Sequence, residues 1–305
     1  MAVLALGGMV VSLVGLFHFV DVRAVGRALS AADPRWLALA VGLVLCTPFT
    51  VAGKLWCVVR LAGEPRPLSR CWSAVMAAVA LNSLVPGRGG DLVRAVFLAT
   101  EPETIAVLVG AVLVERLLDV LSLALLSLVA SLALGIHVAV TLSLAAASVS
   151  VVALVVLASG HRLPFQRELA GRAGTAARNL LRRADLSGGA FALSTLSWAV
   201  NIGVMALALR AVGAEVPLSR VTSAVPIAIL AGILPVSMGG IGTRDATFAW
   251  LLAGTAPSEK IVAASFVFTA LTMWLLGLLG VVALGRETLA HIRRRVRDER
   301  ATAPF

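Results

Sequence analysis

The chain has 305 residues, 59% of them hydrophobic and 14% charged, with a mean hydropathy of +0.97. So little charge cannot cover the surface of a soluble domain of this length, which excludes that class and points to an all-α polytopic membrane protein. The formal charge of +10 is nearly all arginine, placed beside apolar runs without aromatic interleaving, and reads as contact with anionic headgroups rather than with nucleic acid.

A crossing helix needs about 20 predominantly apolar residues, and six runs meet that length. The first, Ala2 to Val20, lacks a basic flank and a small-residue cleavage site, so a helix is expected there rather than a signal peptide. Val22, Val25 and Leu29 then recur at helical spacing beside Arg23 and Arg27, predicting a short interfacial helix before Pro34. Trp36 to Trp56 is the second crossing run. The stretch 71–100 is apolar but interrupted by Pro86-Gly87-Arg88-Gly89-Gly90-Asp91, where proline and glycine should unwind a helix into a broken, re-entrant hairpin. Thr104 to Leu134 and Val138 to Gly160 are the next two crossings, followed by a basic linker, 161–188. Gly189 to Leu209 crosses again, and 218–254 is a second apolar stretch broken by Pro235-Val236-Ser237-Met238-Gly239-Gly240-Ile241-Gly242. Ile261 to Gly285 closes a single membrane domain, 1–286, ahead of a basic tail, 287–305.

Arginine-rich segments mark the cytoplasmic side. With linker and tail both inside, an even number of crossings must separate them. That is met if 218–254 dips in and returns to the outside, while 71–100 opens to the cytoplasm. Both termini are then cytoplasmic, in a multi-pass protein of the cell membrane. The two broken stretches align, Pro86, Gly89, Gly90, Arg94 and Ala95 against Pro235, Gly239, Gly240, Arg244 and Ala246. Two similar units facing opposite ways are what an inverted-repeat transporter looks like in sequence, with its site at the broken segments.

Ionisable groups inside such a domain are costly, so they face a protein interior or a wet cavity. Glu115, Arg116 and Asp119 lie mid-span, with Glu115 and Asp119 on one helix face and Arg116 able to pair with Asp119. Asn82, Arg88, Asp91 and Arg94 belong to the first broken stretch, with Asp91 in position to cap the returning helix. Arg244 and Asp245 open the returning helix of the second. Arginine together with free backbone N–H groups at a helix start suits an anion such as phosphate. The same residues could instead be internal salt bridges that hold the hairpins in shape. Cys46, Cys57 and Cys71 fit neither disulfides nor zinc and read as small core residues, and the scattered histidines offer no metal site. No nucleotide-binding or hydrolase motif is complete, and no cofactor is expected.

Three motifs in order resemble one family. They are Asn82-Ser83-Leu84-Val85-Pro86-Gly87-Arg88-Gly89-Gly90-Asp91-Leu92-Val93-Arg94, Val114-Glu115-Arg116-Leu117-Leu118-Asp119, and Leu234-Pro235-Val236-Ser237-Met238-Gly239-Gly240-Ile241-Gly242-Thr243-Arg244-Asp245. They resemble the lysylphosphatidylglycerol synthase transmembrane region, or flippase-like membrane proteins, which include the flippase half of the multiple peptide resistance factor. Asp245 stands where that family more often has Glu. The resemblance implies flipping of an anionic phospholipid or polyprenyl-phosphate-linked lipid between leaflets, with membrane lipids as partners. The chain runs only about 20 residues past its last span, too few for a soluble transferase, so aminoacyl transfer is not expected; a separate lipid-modifying enzyme would supply the substrate. A membrane-embedded transferase acting on a lipid-phosphate and an ion-coupled carrier of a small anion are the alternatives. The oligomeric state is not fixed by these features.

Overall fold

The computed structural model describes residues 21–84, 90–159, 175–180, 182–233 and 242–285. The described residues contain helices and no strand. The expected first span, most of the basic linker, the tail and most of both hairpin breaks lie outside them.

Helix α1 (Val22–Ser30) starts at Asp21, whose carboxylate accepts from the Arg23 N–H at 2.8 Å. It buries Val25 but leaves Val22 and Leu29 exposed, so most of the apolar face read from the sequence is turned away from the protein. The expected span Trp36–Trp56 is two helices, α2 (Pro34–Val44) and α3 (Thr47–Leu61). Pro48 sits in the first turn of α3, where its missing N–H breaks no helical bond but prevents continuation from α2. Cys57 and Cys71 are buried, but Cys46 is exposed at this break and is not a core residue.

The first broken stretch is α4 (Leu68–Leu84, 17 residues) and α5 (Gly90–Leu98, 9 residues), packed against each other. At 1.5 Å per residue they reach only about 25 and 13 Å, each short of a full crossing. The second pair, α9 (Leu218–Ile233, 16 residues) and α10 (Thr243–Leu251, 9 residues), has the same proportions. Between them run α6 (Ile105–Leu134), α7 (His137–Ser159) and α8 (Ala184–Ala211). Last comes α11 (Ser258–Thr269), which continues through a π-helical segment, Ala270–Leu275, to Gly285. Among the described residues, five stretches are long and apolar enough to cross a membrane: Pro34–Leu61, Pro102–Leu134, His137–Ser159, Ala184–Ala211 and Ser258–Gly285. These match five of the six runs read from sequence.

An internal repeat is visible in a place the hairpin breaks did not suggest. Residues 60–70 and 210–220 share Arg60/Arg210, Gly63/Gly213, Pro67/Pro217, Leu68/Leu218, Ser69/Ser219 and Arg70/Arg220 at a constant separation. Both segments end a span with the same cap. Gly63 and Gly213 have φ of +84° and +70°. Their N–H groups donate to Arg60 O at 3.1 Å and Arg210 O at 3.0 Å. The next N–H groups, of Glu64 and Ala214, donate to Val59 O at 2.9 Å and Leu209 O at 2.8 Å. Glycine at the left-handed position makes this pair of bonds accessible without steric cost.

Each unit also has its own core. Leu55, Val59, Cys71, Val75, Leu98 and Leu108 join α3 to α6 in the first. Met205, Val221, Val225, Phe248, Ile261 and Phe268 join α8 to α11 in the second. The units meet where α8 lies on α2 and α3 and α9 lies on α6. A further seam sets α11 against α4: a Cβ added at Gly280 would lie 2.6 Å from Met76 O and 2.9 Å from Ala80 N. With few water-exclusion gains in lipid, such backbone contact is how membrane helices hold together.

Candidate functional site

A buried charge is tolerable only when paired and hydrogen-bonded. The first unit gathers six charged side chains that meet this condition together. From α6, Glu115 and Asp119 point the same way, as their four-residue spacing requires; their residues are 0% and 2% exposed. From α3, Lys54 reaches both, with Nζ 2.5 Å from Asp119 Oδ1 and 3.2 Å from Glu115 Oε1. From α5, Arg94 donates to Glu115 Oε1 at 2.9 Å and to Asp91 Oδ1 at 3.1 Å. Arg116 closes the ring, 3.0 Å from Asp119 Oδ2 and 3.2 Å from Asp91 Oδ1. From α8, Ser194 Oγ and Trp198 Nε1 donate to Asp119 Oδ1 at 2.7 and 3.1 Å.

Lys54 is the member that sequence reasoning missed. Its signal was available: one of only two lysines in the chain, in the middle of an apolar run. Asp91 lies in the first turn of the described helix, where its Oδ1 accepts from Arg94 and stands 3.2 Å from Arg116. Asn82 latches the pair: its Oδ1 accepts from the Gly90 N–H at 3.0 Å and its Nδ2 donates to Asp91 Oδ1 at 3.1 Å. Gly90 is required for closeness. A Cβ there would sit 2.6 Å from Ala78 O.

The second unit contributes Arg244 and Asp245 at the start of α10, where they were expected. Asp245 Oδ2 accepts from the Gly242 N–H at 2.9 Å, and Gly242 itself has φ of +91°. Ser265 Oγ donates to the other carboxylate oxygen. Arg244 lies 3.4 Å from Asp245 Oδ1, donates to Thr269 Oγ1, and stands over the Phe268 ring at 5.2 Å. Pro86, Gly87, Arg88, Gly89, Pro235, Gly239 and Gly240 lie outside the described residues.

Both units face one cavity of about 180 Å³. Lys54, Arg94, Arg116 and Arg244 all line it, with Asp91 and Asp119 between them; Val51, Val75, Ile229 and Leu276 form apolar wall. Glu115 and Asp245 are not among its lining residues and stand behind their cations. The four cations and four carboxylates of the two clusters balance, yet the described wall shows more positive than negative groups. Among the described residues the Nε groups of Arg94, Arg116 and Arg244 have no hydrogen-bond partner, nor have Glu115 Oε2 and Thr47 Oγ1. Buried polar atoms are seldom left so. No three His, Cys, Asp or Glu side chains converge as a metal site would require, among the described residues.

The family model described as the lysylphosphatidylglycerol synthase TM region matches residues 1–280. No curated protein matches the chain. The match takes in both helix pairs, the charged span and the cavity they enclose, and the chain is a membrane protein that belongs to the lysylphosphatidylglycerol synthase TM region family.

Proposed function

We propose that the protein carries anionic lipid headgroups between the leaflets of the cell membrane, as a flippase or scramblase. Family and apolar helices together make it a membrane protein acting on lipids. The finer reading rests on one observation: cations from α3, α5, α6 and α10 converge on a single cavity. A phosphate oxygen cluster can take several of their donors at once, and arginine binds it in bidentate fashion.

Volume supports a headgroup rather than a whole lipid. At about 180 Å³ the cavity is below the roughly 300–1,000 Å³ of pockets that enclose a drug-sized ligand. Tails would therefore stay in the bilayer while the polar group passes. Broken helix pairs from two repeats are the usual makers of such a midplane site. In this reading the pairs open to opposite faces, both termini are cytoplasmic, and a separate enzyme modifies the lipid.

Mass spectrometry of lipids retained by gently purified protein tests the proposal. Acidic phospholipid or polyprenyl-phosphate lipid should be enriched over the membrane average in the wild type, and lost in Arg94→Ala and Arg244→Ala. Equal retention by all three would remove the cavity from the account. A water-soluble anion in place of lipid would favour the small-anion carrier.

A further inference from the structure

A second recess, sharing no lining residue with the charged cavity, lies where α6, α8 and α9 meet. Its volume is about 460 Å³, within the roughly 300–1,000 Å³ of pockets that take a small ligand. Leu125 and Val129 from α6, Phe191 from α8 and Leu218 from α9 give it a wall that is almost wholly apolar. Two of the hydroxyls on that wall are spent inside the protein: Thr195 donates to Ser122 Oγ at 3.4 Å, and Thr222 to Leu218 O at 2.8 Å. Water entering the recess would find almost no polar partner. Leu125, Val129 and Leu218 are exposed, so it is a groove open at the protein's side and not a sealed void.

Its place in the membrane narrows what can fill it. Ser122, at one end, stands near the middle of α6. From there the groove follows α6 to Ala130, a rise of about 12 Å at 1.5 Å per residue. The start of α9 walls its other end, where Ser127 Oγ donates to Ser223 O at 2.8 Å and the Ser131 and Ser223 hydroxyls are 2.6 Å apart. Helix α9 follows the Gly213 cap that ends α8, so this end lies towards the membrane face on which α8 terminates. The groove therefore runs from mid-membrane towards one surface, over most of the roughly 15 Å that is half a hydrocarbon core. That is the depth of one leaflet's chains. A crossing helix would need about twice that length of contact. Helices also join in lipid through small residues that let backbones touch, whereas Leu125, Val129, Phe191 and Leu218 hold a neighbouring backbone off.

We infer that this groove binds one acyl chain of a bilayer phospholipid, taken from the leaflet on the side where α8 ends. An unfilled apolar recess forfeits dispersion contacts along its wall, and a flexible chain laid into it restores them on three helices at once. Fluid lipid around α7 meets a different surface. Val149, Val152 and Val155 there are exposed on a single helix with no recess among them. The chain site is independent of what enters the charged cavity, since only hydrocarbon is recognised.

The test is photolabelling in reconstituted vesicles, using phosphatidylcholine that carries a diazirine midway along one chain. Its neutral headgroup keeps the result separate from the anionic-headgroup reading. Labelled residues are located by peptide mass spectrometry as the probe's share of the lipid is raised. Labelling at Leu125, Val129 and Leu218 should rise steeply and saturate, while that at Val149 and Val152 should rise in proportion to the probe. Ala130→Phe, which puts a ring into the groove, should abolish the saturable part and leave α7 unchanged. Groove labelling that merely tracks α7 in the wild type would overturn the site, and that comparison needs no variant to fold. A groove left unlabelled while α7 reacts would overturn it as well, and would mean that a protein segment or a second copy covers it. Saturable labelling that persists in a folded Ala130→Phe would overturn the assignment to this groove.

Discussion

Lys54 Nζ on α3 stands 2.5 Å from Asp119 Oδ1 on α6, and the two side chains are 2% and 3% exposed. The pair fixes how the first two long elements of the first unit meet. Breaking a buried pair from one side costs about 3–5 kcal/mol, because the remaining charge has no water to return to. Lys54→Met should therefore lose about that much stability in detergent unfolding. Lys54→Met combined with Asp119→Asn should cost clearly less than the two single changes added. Additivity within a few tenths of a kcal/mol would show that the lysine and the aspartate do not interact.

Asn82 makes the two bonds that hold α5 onto α4. Asn82→Ala leaves the Gly90 N–H unsatisfied, a loss of about 1–3 kcal/mol. Asn82→Asp should be worse than alanine, since it puts a second carboxylate against Asp91. Unfolding of the two variants side by side checks the order; an aspartate variant as stable as wild type would contradict the latch.

Gly280 allows α11 to touch the backbone of α4. Gly280→Ala should push the helices apart at a cost of about 1–3 kcal/mol, the range for overpacking a close interface. Gly285, with open space around its Cβ position, is the control, and Gly285→Ala should be nearly silent. Alanine is the better helix former, so propensity alone would make both changes neutral or stabilising; no loss at Gly280 would contradict the close contact.

Gly63 and Gly213 close equivalent caps in the two units. Gly63→Ala has room for the methyl but must hold a left-handed backbone, for about 1 kcal/mol or slightly more. Gly213→Ala carries the same strain and brings its Cβ to 3.3 Å from the movable Lys260 Nζ. Near-equal destabilisation is expected, and an effect at one glycine alone would count against the caps being equivalent.

The spans were legible because apolar length is a direct consequence of bilayer thickness, and five of them fall where the runs are. The charged face of α6 was legible from the spacing of Glu115 and Asp119, since a helix turns a four-residue interval into a shared side. Lys54 was not, because one cation in an apolar run has no local partner and its carboxylates lie on another helix. The convergence of Arg94 and Arg244 on one void depends on helix packing between units, which short-range pattern does not encode.

If the void passes an anionic headgroup, labelled phosphatidylglycerol should change leaflets in reconstituted vesicles, with wild type compared against Arg94→Ala and Arg244→Ala. Transfer is expected from the wild type, with its loss, by roughly tenfold or more for a charge-assisted contact worth about 1.5–3 kcal/mol, in both variants while each still purifies folded. Full transfer by both variants, or none by a folded wild type given an acidic lipid, would contradict it.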